Sequence, residues 1–171
     1  MRPRIADLAQ APKSLLTRVH AVNEAHAEQT SPLTPEVLAG MCGAAFAAWA
    51  PEDGSAFLIA FDETADYASP NFRWFRDRYA RFVYVDRIVV APHRRGEGMA
   101  RRLYQALFEA ARASGRGHVA CEVNRVPPNP SSDAFHARMG FAPVGEGNPA
   151  PDKTVRYLLR SLDTGRPRES D

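Results

Sequence analysis

Residues 82–113 read FVYVDRIVVAPHRRGEGMARRLYQALFEAARA, and this stretch decides the fold. Residues 82–90 are β-branched or aromatic on both faces, which predicts a central strand covered on two sides. From about residue 97 to 113 the spacing becomes helical. Ala100, Leu103, Leu107 and Ala110 share one face, and Arg101, Arg102, Gln105 and Glu109 lie largely on the other. The junction is Arg95-Gly96-Glu97-Gly98-Met99-Ala100. Two glycines there permit positive φ and a close backbone approach to a ligand. The first amides of the following helix have no intrahelical acceptor, so with the helix dipole they suit a phosphate or pyrophosphate. His93, Arg94, Arg95, Arg101 and Arg102 surround the junction with positive charge.

Two common phosphate-binding motifs do not fit. A P-loop requires a Lys after its last glycine, and none follows here. A dinucleotide fingerprint requires a third glycine, and Gly98 is followed by Met99, Ala100 and Arg101.

Outward from this unit, residues 12–28 carry Leu15, Leu16, Val19, Val22 and Ala25 at helical spacing. Ser31-Pro32-Leu33-Thr34-Pro35 interrupts them, and Thr34 with Pro35 opens a second helix over about 35–42. Residues 44–62 read as a hairpin around Glu52-Asp53-Gly54. Residues 63–80 form a long connection rich in aromatics, with a short helix expected over 71–78. After the central helix come a strand at 118–124, a proline-rich loop, a helix near 131–139, and strands near 140–146 and 153–161. The expectation is one α/β domain over 1–162 with helices on both faces of a single sheet, and a polar tail at 163–171.

The 171 residues suit one domain, and 44% hydrophobic content excludes a disordered chain. A formal net charge of +2 gives no global attraction to nucleic acid or membrane, so neither is an expected partner. No apolar run approaches a membrane span of roughly 18–20 residues. The N-terminus lacks a secretory apolar core, and Cys42 and Cys121 read as reduced buried thiols, so the expected compartment is the cytoplasm. Five histidines show no metal-ligand spacing, and no metal is expected.

Arg95-x-x-Gly98-x-Ala100, between strand IVVAP and helix RRLYQALFEAA, resembles the [Gln/Arg]-x-x-Gly-x-[Gly/Ala] signature of the GNAT superfamily of N-acyltransferases. Downstream, Asn129-Pro-Ser-Ser132-Asp-Ala-Phe135-His136-Ala-Arg-Met-Gly140-Phe141 is similar to that superfamily's Asn-x-x-Ala-x-x-Phe-Tyr-x-x-x-Gly-Phe segment. The resemblance is sharp over 82–145. It implies a mostly antiparallel mixed sheet in which strands 4 and 5 splay apart, and acetyl-CoA as acyl donor. The pyrophosphate would lie on the amides of Gly96, Glu97, Gly98, Met99, Ala100 and Arg101. The pantetheine would pair with the backbone of Ile88, Val89 and Val90, as an added strand does. Asn129, Ser132, Phe135 and His136 would complete the cofactor contacts beside Arg95.

Amide formation needs a base for the ammonium proton and benefits from an acid for the departing thiolate. The family's usual acid is the Tyr of Phe-Tyr, and His136 stands there instead. Its imidazole can protonate sulfur, or only hydrogen-bond, with Ser132 and Tyr84 in reserve. Asp86 and Glu122 each sit in an apolar strand, where a carboxylate is costly unless paired or functional. Each reads as a proton acceptor or as an ion-pair partner of Arg87 or Arg125. Strict alternation along strand 4 puts Phe82, Tyr84, Asp86, Ile88 and Val90 on one face. Cys121 reads as core.

The acceptor side is expected from the first helix, at Asn23 and Glu24, and from Tyr67, Phe72 and Trp74, with Tyr84 beside them. The alternatives are a solvated polar face for the first pair and a core seal or homodimer contact for the aromatics. The function expected is N-acetyl transfer to a small-molecule or peptide amine by direct attack. Rival readings are a non-catalytic acyl-CoA sensor and a transferase acting on a protein or aminoacyl-tRNA.

Overall fold

The computed structural model describes residues 3–163. Of the expected tail, residues 164–171 lie outside the described residues. The elements in chain order are β1 (Ile5–Asp7), α1 (Lys13–Ala25), α2 (Pro35–Ala44), β2 (Ala47–Pro51), β3 (Ala56–Asp62), α3 (Pro70–Arg76), β4 (Val83–Val90), α4 (Met99–Ala113), β5 (His118–Val126), α5 (Pro130–Arg138), β6 (Ala142–Ala150) and β7 (Lys153–Ser161). Single 3-10 turns sit at Leu8–Gln10 and Pro92–Arg94.

Local chemistry explains several boundaries. Thr34 Oγ1 accepts the Val37 amide at 3.2 Å, with Pro35 at the first helical position of α2. Ser69 and Asn129 cap α3 and α5 in the same way, each followed by a proline. α2 runs on to Ala44, so the first hairpin strand starts only at Ala47 rather than at 44. β1 was not expected: three residues are too short to show a period, and pairing with β2 alone makes them a strand.

The seven strands form one sheet in the order β1-β2-β3-β4-β5-β7-β6. Every pairing is antiparallel except β4–β5. That parallel pairing is short. It registers Val83 with Val119 and Tyr84 with Ala120, and goes no further. β4 and β5 therefore part after Tyr84, as the splay expectation required.

Two cores cover the two faces. On one, Leu15, Val19, Leu38, Cys42, Phe72 and Phe75 of α1, α2 and α3 pack on Phe57, Ile59, Tyr84 and Tyr157. On the other, Met99, Leu103, Tyr104, Leu107 and Phe108 of α4 pack on Leu58, Val83, Val85, Cys121 and Leu158.

Strict alternation in β4 fails at one point. Ile59 pairs with Arg87 while the next residue, Ala60, pairs with Val85, so Asp86 is an extra residue, a β-bulge. The bulge exchanges the faces beyond it. Tyr84 and Val89 share the first core, whereas Val83, Val85, Ile88 and Val90 pack with the second. The expected common face of Tyr84, Ile88 and Val90 is thereby corrected.

Candidate active site

The junction before α4 has the geometry its glycines suggested. Gly96 and Gly98 have φ of 81° and 79°, in the left-handed region. A Cβ on either would meet no atom within 4 Å, so their backbone faces open space. The first α4 bond runs from Arg102 N–H to Gly98 C=O at 3.0 Å, which leaves the amides of Met99, Ala100 and Arg101 outside the helical ladder. A cavity of about 360 Å³ adjoins them, bounded by Arg95, Gly96, Gly98, Ala100 and Phe135. A second, of about 560 Å³, continues past Ile88, Val89 and Val90 to Ser132 and His136. The groove thus runs from a helix N-terminus along the unpaired edge of β4. It fits a long ligand with a diphosphate at one end. Glu97 does not face this groove; its carboxylate pairs with Arg94 at 3.1 Å.

The groove ends in a cavity of about 120 Å³ at the splay, where Asp86, Tyr104, Cys121, Glu122, Ser132 and His136 come together. Its walls belong to opposite faces of the sheet. Glu122 and Asn124 register with Tyr157 and Val155, the first-core face. Tyr104, Cys121 and Val85 belong to the second. Only a gap in the sheet lets both faces line one space.

The two carboxylates are held differently. Asp86 accepts Arg87 Nε at 2.7 Å and the Tyr67 hydroxyl. Arg87 is buried and also donates to Asn23 Oδ1 at 2.8 Å and Ser31 Oγ at 3.2 Å. Glu122 has neutral partners only: the Tyr84 hydroxyl at 2.7 Å and Asn71 Nδ2 at 3.1 Å, with Asn71 held by the Tyr157 hydroxyl at 3.0 Å. Burial, with the charge of Asp86 added, pushes the Glu122 carboxyl up to about 7. The two donors and the charge of Lys153 oppose that rise without cancelling it. Arg125, the alternative ion-pair partner, instead joins Glu146.

On the other wall, His136 Nε2 accepts the Tyr104 hydroxyl at 2.8 Å, while Nδ1 faces the Ser132 carbonyl at 2.8 Å. A carbonyl only accepts, so Nδ1 carries a proton, and the burial that lowers the His136 pKa favours the neutral ring with Nε2 as acceptor. Burial also raises the pKa of Tyr104.

The profile of the acetyltransferase (GNAT) family matches residues 21–141 of this chain. The chain belongs to that family. No curated protein matches this acetyltransferase in sequence. Among solved structures, the NatC complex bound to Gag peptide and CoA superposes with a TM-score of 0.70 at 12% identity, over 95% of this chain and 100% of that one. The ribosomal-protein-S18-alanine N-acetyltransferase from Escherichia coli gives 0.69 at 14%, over 99% of each. The structure of yncA from Salmonella typhimurium with its cofactor acetyl-CoA gives 0.69 at 16%, over 100% of this chain and 99% of that one. At such identities these likenesses concern the fold.

The acetyltransferase places several expected acceptor residues elsewhere. Asn23 is fully buried. Its Oδ1 accepts from Arg87 and Thr30, and its Nδ2 donates to Ser31 C=O at 3.0 Å. Glu24 accepts the Leu33 amide at 2.9 Å. Both tie the α1–α2 connection down and do not line the 120 Å³ cavity. Phe72 is fully buried, and Trp74 stacks on Tyr157 with ring centres 4.3 Å apart. Tyr67 and Tyr84 reach the site only through their hydroxyls on Asp86 and Glu122. Sequence reading missed Tyr104, Asn71, Thr30 and Lys153. Tyr104 looked like one more apolar-face residue of a helix, and the other three approach from distant segments.

Among the described residues no three His, Cys, Asp or Glu side chains gather as metal ligands would. No helix among them is long and apolar enough to cross a membrane.

Proposed function

We propose that this GNAT acetyltransferase moves an acetyl group from acetyl-CoA to a primary amine by direct attack, with Glu122 as general base. The observation that carries this reading is the shared cavity at the splay. Glu122 enters it from one face of the sheet, and the Tyr104–His136 pair from the other.

The residues divide the work. The amides of Met99, Ala100 and Arg101, with Arg95 beside them, hold the diphosphate. The β4 edge at Ile88, Val89 and Val90 pairs with the pantetheine, and Phe135 and Ser132 close the groove opposite. When bound, the donor supplies an activated thioester carbon. Glu122 takes the proton that the acceptor ammonium gives up, so the amine becomes nucleophilic near neutral pH. Its neutral partners leave it able to bind that proton and release it. The Tyr104 hydroxyl, whose one proton rests on His136 Nε2, turns that proton to the leaving sulfur as the thioester breaks. In this reading the neutral imidazole orients Tyr104 and is not itself the acid. Asp86 and Arg87 support the bulge that turns the β4 edge toward the groove. Two free buried cysteines accord with a cytoplasmic setting.

Two measurements test the reading. Gly98→Val places a branched side chain at positive φ in the open space the diphosphate would fill. It should abolish the rise in melting temperature that wild type shows with millimolar acetyl-CoA. An undiminished rise would overturn the cradle. Release of CoA thiol on adding amines to wild type should be rapid. Tight CoA binding without thiol release from any amine would favour the sensor reading.

A further inference from the structure

One cation, whose charge opposes the rise of the Glu122 carboxyl, lines the acceptor half of the site. Lys153 opens β7 and lies two and four residues before Val155 and Tyr157, so it shares their face. That is also the face of Glu122 and Asn124. Lys153 lines the 120 Å³ cavity with Glu122, Asn124 and Thr30. It is half-buried and makes no hydrogen bond or ion pair within the described residues.

Its surroundings make this unusual. Arg87, the other cation at the cavity, is committed to Asp86, Asn23 and Ser31. Arg116 is paired with Glu63 and Asp62, and Arg156, next along the hairpin, lies 3.9 Å from Asp133. A partly desolvated ammonium gains most from a charge-assisted bond, and Lys153 makes none within the described residues. Lys is also scarce: the chain has two among 22 basic residues, so one at this wall is not a sample of a lysine-rich surface.

We propose that the acceptor is a small amine of the amino-acid class, its amino group directed to Glu122 and its carboxylate held by Lys153 and Asn124. This rests on the transferase reading above and adds the class of acceptor. The narrow cavity suits such a molecule, and the opposed charges of its walls match a zwitterion end for end. Lys153 here is a specificity-determining contact; its charge bears on the Glu122 carboxyl, but it carries none of the transferred proton.

The experiment uses the full chain at saturating acetyl-CoA and follows thiol release. The probes are the common amino acids, each beside its amide and its decarboxylated amine. The best free acid should exceed its amide and its amine at least tenfold in kcat/KM. Lys153→Gln should lower the acid-to-amide ratio of kcat/KM about tenfold and so erase the preference, since any change it makes through the Glu122 carboxyl falls on acid and amide alike and cancels in that ratio. Lys153→Arg should restore most of it. Equal turnover of acid and amide, or an undiminished preference in Lys153→Gln, would overturn the carboxylate site while leaving the transferase intact. Thiol release with peptides or plain amines alone would do the same. No release with any amine, while acetyl-CoA still raises the melting temperature, would instead overturn the transferase reading itself.

Discussion

β4 and β5 border the same gap, and each carries a carboxylate in the middle of an apolar run. The two look alike along the chain, yet their surroundings give them opposite characters. Asp86 meets a buried guanidinium at 2.7 Å, and the pair is fixed further through Asn23 and Ser31. Glu122 meets only a phenol and an amide. A charged partner at hydrogen-bond distance makes a carboxylate part of the framework. Neutral donors in a buried place leave its proton negotiable, which is what base catalysis needs. On the proposed reading, the difference between the strands is thus the difference between a strut and a tool.

The largest expected effect breaks the contrast from the β5 side. Glu122→Gln should lower kcat by roughly a hundredfold or more and remove the rise of kcat/KM with pH centred near 7. A retained profile would assign the base elsewhere. The same substitution should raise stability at high pH. The Glu122 carboxyl goes from 4.5 in the unfolded chain to about 7 in the fold. The folded state therefore keeps its proton longer, and stability falls as pH rises from 4.5 to 7. The loss amounts to about 3 kcal/mol above pH 7, which Gln does not suffer. Denaturant melts of both proteins at pH 5 and pH 8 measure it.

Next comes the β4 side. Asp86→Asn should leave kcat within about threefold at the plateau while costing about 3 kcal/mol of stability, because Arg87 stays buried without its counter-ion. It should also move the rising limb to lower pH, since the like charge that raises Glu122 is gone. A collapse of kcat in a well-folded variant would make Asp86 the tool instead. The smallest effect sharpens the contrast. Tyr84→Phe removes a donor to the ionised form of Glu122, so the limb should move the other way, up by roughly half to one pH unit. An unmoved limb would mean that the Tyr84 bond does not set the basicity of Glu122.

Much of this was readable beforehand where the evidence is local. The glycine junction announced its helix N-terminus and its open backbone, because two glycines and a run of free amides need no distant partner. Asn129 and Ser132 of the second motif likewise line the groove. Reading failed where contact across the chain decides. Asn23 and Glu24 looked like a polar face free for ligand, but Arg87, Ser31 and Leu33 had already claimed them. Tyr104 was hidden because a helix face shows which side is buried and not which tip meets a histidine from α5. The Asp86 bulge was invisible because one extra residue leaves the composition of β4 unchanged.

The amino-acid order by itself determined the strand–turn–helix cradle and the family, since these rest on short-range geometry and on motifs within a few dozen residues. Only the tertiary structure decided which carboxylate is buried among neutral donors, which expected acceptor residues are already committed, and that a lysine from the last strand lines the same cavity as Glu122. Burial and the charge of a neighbour set those properties, and both arise only when segments far apart in the chain are packed together.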